Sequence, residues 1–171
     1  MTGGLDALVD LALRGAHFAG ALVWIGHNYV NVVTTPRFVP LTPADFAPGA
    51  QSAELDSRLR KEHGTFRYAA LVTWAAGALM LWRGGHLWDA VMLQGYASVI
   101  GIGAWIGTLM VLNLFLVLWP HQKKVLGFVP ASPEERARCA RITFLSSRTN
   151  TILSIPLLFF MGAAAHGAAL F

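Results

Sequence analysis

The chain has 171 residues, of which 55% are hydrophobic and only 13% charged, with a mean hydropathy of +0.52. A soluble domain carries about 25% charged residues, so a water-soluble globule is excluded and a membrane protein is expected. The net charge of +4 would suit nucleic acid, but the placement of the basic residues argues otherwise. The single cysteine, Cys139, excludes an intrachain disulfide, a CxxC metal site and a CxxCH haem attachment.

In chain order, the first apolar stretch runs from Leu8 to Val33. No basic leader precedes it, and it carries Asp10, Arg14 and His17, so it is expected to be a spanning helix and not a cleaved signal. Three more stretches approach the length of about 20 apolar residues that a spanning helix needs, Phe66 to Trp82, Ala97 to Trp119 and Thr149 to Ala165. The fold class expected is therefore all-α, a single four-span integral membrane bundle over residues 1–171. Between the first two spans, a proline-rich stretch leads into SAELDSRLRKEHG. This reads as a helix capped by Ser52 that runs on into the second span. Between the last two, Ser132-Pro133-Glu134-Glu135 reads as a capping box with proline at the first helical position. A basic helix follows it into the fourth span.

Eleven of the thirteen Lys and Arg residues lie in or beside the two long connections, and only Arg14 and Arg83 fall on the other side. The positive-inside rule then places both connections in the cytoplasm and both termini outside. The basic excess meets anionic lipid, and no nucleic acid partner is implied. The triplet WIG at 24–26 recurs at 105–107, and RFVP at 37–40 is echoed by GFVP at 127–130, as two parallel two-helix repeats would give.

At 100° per residue, Asp10, Arg14, His17, Ala21, Trp24, Asn28 and Asn31 fall in one stripe of the first helix. Lipid offers a polar stripe no partners, so it should face the bundle interior. His17, near the middle of the span, is a candidate axial ligand for a b-type haem or another metal. The plainer reading is a neutral histidine bonded to a neighbouring helix. His27, His63 and His121 gather near the inner interface and could form a metal set, though no local spacing such as HxxxH marks one. Arg67, Arg148, Lys123 and Lys124 lie at the same interface, either as snorkelling anchors or as a cationic rim for an anionic group. Asn113 is expected to hydrogen-bond within the bundle, and Gly103 and Gly107 to mark a close helix contact.

The strings GTLMVLNLFLVLWPHQKK (107–124) and SSRTNTILSIPLLFFM (146–161), with HFAGALVWIG (17–26) and FRYAALVTWAAG (66–77), resemble the membrane domain of bacterial membrane-bound urate oxidases, or urate hydroxylases. The resemblance implies a membrane redox domain that gives electrons to a cytochrome. It carries over onto His17, Trp24, Arg67, Thr73, Trp74, Asn113, Gln122, Lys123, Lys124 and Asn150. His121 stands where that family has asparagine, there are four spans where that family has more, and no c-type cytochrome segment follows. The first helix is also similar, more loosely, to that of small haem-binding protoporphyrinogen oxidases of bacteria. The function expected is an oxidoreductase or electron carrier around a haem b or other metal, working with a cytochrome or quinone-linked partner, as a single copy or a homo-oligomer. The two alternatives are an oxidase of a planar anionic heterocycle or porphyrinogen, and a non-catalytic accessory subunit.

Overall fold

The structure, a computed structural model, describes residues 2–47, 49–50, 53–61 and 64–167. The expected cap Ser52 and the candidate ligand His63 lie outside the described residues. Among those described, every regular element is helical. Helix α1 spans Thr2–Thr34, α2 Ala53–Lys61, α3 Thr65–Arg83, α4 Leu87–Val91, α5 Ser98–Leu112, α6 Trp119–Val125 and α7 Pro133–Ala165. A six-residue π-helical segment, Asn113–Leu118, joins α5 to α6 without a break, so the third long helix runs from 98 to 125.

That helix was expected to stop near Trp119 and instead passes through Pro120. Proline lacks an N–H, and its ring crowds the carbonyl one turn back. The wider π turn directly before Pro120 absorbs this without ending the helix. Conversely, α2 was expected to run on into α3 and does not. Gly64 adopts φ 75°, ψ −15°, the left-handed conformation that closes one helical path and starts another. Helix α7 begins as expected, with Pro133 at its first turn and the Ser132 hydroxyl accepting from the Glu135 backbone N–H at 3.2 Å. The Glu135 side chain, however, points to Lys124 and not back into a reciprocal box.

Two antiparallel pairs build the bundle, α1 against α3 and α5 against α7, each made close by glycine. A Cβ on Gly20 would stand 2.5 Å from Thr73 Oγ1 and 3.0 Å from the Ala69 carbonyl oxygen, and one on Gly77 2.9 Å from His17 Cε1. Gly103 faces Met161 and Phe160, and Gly107 faces Leu157, which accounts for the GxxxG spacing. Gly20→Ala should therefore cost about 1–3 kcal/mol by overpacking, seen as a lowered melting temperature in detergent. The two WIG triplets do not occupy equivalent settings. Trp24 is buried at 2% exposure, whereas Trp105 is half exposed and donates to the Val91 carbonyl at 3.0 Å.

The main core gathers Trp24, Ile25, Phe66, Ala70, Met110, Leu114, Leu118 and Leu157 from all four long helices. A smaller cluster of Leu41, Val125, Cys139 and Ala140 docks the proline-rich connection against α6 and α7. On the outside, the long helices present apolar side chains: Phe18 and Leu22 on α1, Leu79 on α3, Leu109 and Leu112 on α5, Ile152 and Phe159 on α7. Among the described residues, two helical stretches, Gly4–Thr34 and Gly95–Val125, are long and apolar enough to cross a membrane.

Candidate functional site

The polar stripe on α1 faces the bundle from His17 to Asn31 and meets a different partner at each level. At one end, Arg83 on α3 donates to Asp10 at 2.9 Å and to Asp6 at 3.3 Å, while Arg14 is exposed. One turn further in, His17 Nδ1 bonds the Thr73 carbonyl at 2.7 Å. A carbonyl can only accept, so Nδ1 carries the proton and Nε2 is the nitrogen left with a lone pair. At the other end, His27 stacks on Phe66 with ring centroids 4.4 Å apart and an interplanar angle of 3°.

That end opens into a cavity of about 120 Å³ between α1, α3, α6 and α7. His27, Asn28, Asn31 and Thr35 line it from α1, Phe66 from α3, and Gln122 from α6. Ser147 and Arg148 come from α7, and Arg58 reaches in from α2. Arg148 is fixed on two sides. Its Nη2 donates to the Thr35 carbonyl at the end of α1, and its guanidinium lies 4.6 Å from the centre of the Phe144 ring. Two donors in this lining, Asn28 Nδ2 and Arg148 Nη1, are buried without an acceptor.

The other expected basic residues are spoken for at the same level. Arg67 lies 3.4 Å from the centre of the Trp119 ring, and Lys123 approaches that ring at 5.9 Å. Lys124 donates to Glu135 at 2.5 Å. Of the cationic rim expected from sequence, the cavity thus receives Arg148 alone and adds Arg58 to it. The model of the urate oxidase N-terminal family matches residues 85–171, just over half of the chain. The chain belongs to the urate oxidase N-terminal family. No curated protein and no solved structure matches it.

The family's stretch here runs from just before α4 to the end of the chain. It contains Asn113, Gln122, Lys123, Lys124, Arg148 and Asn150. His17, Trp24, Asn28 and Arg67 precede it. Within the stretch, Asn113 faces inward as expected. Its Nδ2 donates to Asn150 Oδ1 at 2.8 Å and to the Ser146 carbonyl at 2.9 Å, and its Oδ1 accepts from Ser146 Oγ at 2.9 Å. His121 Nδ1 bonds the Val117 carbonyl, 2.6 Å away on its own helix. Among the described residues, no group of three His, Cys, Asp or Glu side chains comes together to hold a metal, so His17, His27 and His121 stand apart from one another as ligands.

Asn28, Asn31, Arg58 and Ser147 were not singled out as site residues from sequence. The signal for the two asparagines was present in the α1 stripe. Arg58 and Ser147 carried none, because nothing local marks which basic or hydroxyl residue tertiary packing will turn inward.

The hydrogen bond from Lys124, and its charge, hold the Glu135 carboxyl below the usual carboxylate range. A carboxyl with a lowered folded-state pKa adds stability above its unfolded pKa, about 4.3, and loses it as pH falls through the folded value. Acidification from pH 7 into that range should therefore lower the melting temperature. Glu135→Gln should flatten that part of the profile, measured by thermal shift in detergent.

Proposed function

We propose that this chain is a four-span oxidoreductase of the bacterial inner membrane, with both termini outside, that acts on a planar anionic heterocycle, urate on its family's name. Its electrons pass to a cytochrome or quinone-linked partner. The observation that carries this reading is the cavity at the His27 end. The parallel His27–Phe66 stack gives it an aromatic wall, and Arg148 and Arg58 give it positive charge. Asn28, Asn31, Gln122 and Ser147 supply hydrogen-bonding groups to a ring rich in carbonyls.

Four spans, and not only the two stretches that are both long and apolar enough on their own, are supported by the apolar side chains that all four helices present outward. Helix α3, at 19 residues, is about 28 Å long and matches a hydrocarbon layer of about 30 Å. Trp82 and Trp88, both exposed beside Arg83, suit an interfacial belt. With the basic connections inside, the cavity opens to the cytoplasm.

Purified protein should oxidise urate when a quinone analogue or a cytochrome c is added as acceptor, followed by loss of urate absorbance. Absence of both turnover and urate binding would overturn the assignment. Co-purification with a larger oxidase under those conditions would establish an accessory role instead.

A second reading concerns a b-type haem on His17, which would carry electrons between substrate and partner. It is favoured by the fixed tautomer: Nδ1–H held by the Thr73 carbonyl leaves Nε2 to bind iron, as in most metal-ligating histidines. Gly77 leaves room for that ring. A Soret band in the purified protein that disappears in His17→Ala is the expected result. No band, or a band unchanged in that variant, removes the haem from His17.

A further inference from the structure

Three buried polar side-chain atoms among the described residues have no hydrogen-bond partner: Asn28 Nδ2, Arg148 Nη1 and Ser98 Oγ. Ser98 begins α5, whereas the other two line the same cavity from opposite helices, α1 and α7. Asn28 is only 5% exposed, so bulk water does not serve it. An unmade hydrogen bond at a buried donor is costly, and more so at a charged one. Two such donors, on residues that line one cavity, lack an acceptor that the protein itself supplies.

Their chemistry defines that acceptor. Both atoms are donors and one is cationic, while neither brings an acceptor of its own to the unsatisfied position. Arg148 is also held ready. The Thr35 carbonyl takes one arm of its fork and Phe144 supports its plane, so the remaining arm is fixed before any ligand arrives. Lysine, a point charge on a flexible stem, cannot reproduce that arrangement.

We propose that Asn28 and Arg148 are the specificity-setting pair of this cavity, reading a ligand edge that presents only acceptor atoms and carries negative charge, and rejecting the same ring when that edge bears an N–H donor. The claim rests on the cavity being the ligand site, and it is narrower than the identity of the substrate. A carboxylate or a deprotonated carbonyl edge on a planar ring meets both donors. A carboxamide or amino edge sets donor against donor and leaves Arg148 uncompensated.

Equilibrium dialysis of the full chain in detergent tests this with three probes: urate, nicotinate and nicotinamide. The last two share one ring and differ in carboxylate against carboxamide. Wild-type protein should bind urate and nicotinate and discriminate against nicotinamide by roughly 30-fold or more. Asn28→Asp, which places a carboxylate against the anion, and Arg148→Lys, which keeps the charge but loses the fork, should each weaken both anions by a similar factor. If Asn28→Asp does not fold, Arg148→Lys alone decides.

Urate binding that is unchanged in the variants overturns the specificity pair and leaves the proposed substrate standing. Nicotinate binding that depends on both residues, with no urate binding, keeps the pair and removes urate. Equal binding of nicotinate and nicotinamide overturns the pair, and no binding of any probe overturns both.

Discussion

Asn150→Leu is expected to destabilise the bundle by about 2–3 kcal/mol, although leucine is the more apolar residue and has the same number of side-chain heavy atoms. Asn150 is 1% exposed and spans the gap between α7 and α5 with both ends of its amide. Its Nδ2 donates to the Met110 carbonyl at 3.1 Å, and its Oδ1 accepts from Asn113 Nδ2. Asn113 in turn is closed by the Ser146 hydroxyl and carbonyl, so no amide in the set lacks a partner. Leucine removes one donor and one acceptor at once. Buried groups left unsatisfied typically cost about 1–3 kcal/mol, while a single interhelical hydrogen bond in a membrane protein averages only about 0.6 kcal/mol. The larger figure governs here because Asn113 stands at the start of the π segment, where the α-helical ladder itself is interrupted. Thermal unfolding in detergent checks the value. A double-mutant cycle with Asn113→Ala should show coupling of about 0.5–3 kcal/mol. Unchanged melting of Asn150→Leu would mean that the network contributes nothing net.

The same residues show how much could be read before the structure. Four long helices were legible because a run of about 20 apolar residues is a signal that few other structures produce. The inward face of α1 was legible because periodicity survives even when individual roles do not. Trp24 and Asn28 are buried on that face, His17 packs against α3, and Asp10 is held by Arg83. Asn113 pointed inward for the simplest reason, that hydrocarbon offers an amide nothing.

The failures are local events that tertiary context decides. Proline at 120 is a stop signal in isolation, yet the π turn before it lets the helix continue. The stretch through Gly64 was read as one continuous helix, and that glycine is the left-handed residue ahead of α3. Helix α4 is only five residues long and carries no periodic signal, and it docks where Gly101 lets the Ala90 carbonyl approach α5.

Sequence reasoning picked out the level of the bundle at which the cavity lies, but not the full set of side chains that line it. Four basic residues near the inner interface are equivalent as letters. Packing spends them differently, Arg67 and Lys123 on Trp119, Lys124 on Glu135, and Arg148 on the cavity. Which donor stays unsatisfied depends on where every other acceptor has gone, and only the assembled bundle shows that.

Trp24→Ala should be the most damaging single truncation in α1, at about 3–5 kcal/mol by the range for buried aromatic residues. Trp24 is 2% exposed at the centre of the main core, packed among residues from α3, α5 and α7. In the membrane setting proposed above, little of that cost is transfer from water, since lipid is as apolar as the core. Lost dispersion contacts and the cavity left behind make up the rest, so the result should fall toward the lower end. Trp24→Phe keeps most of the contacts and should recover more than half of the loss. Trp24 also stands one helical turn from Asn28 on the same stripe, between His17 and the cavity. A hole at that position lets α1 settle toward α3 and shifts Asn28 relative to Arg148. On the proposed urate assignment, binding should therefore weaken in Trp24→Ala even at temperatures where the protein remains folded, and should return with Trp24→Phe. Stability lost with binding intact would separate the core from the cavity and confine Trp24 to packing.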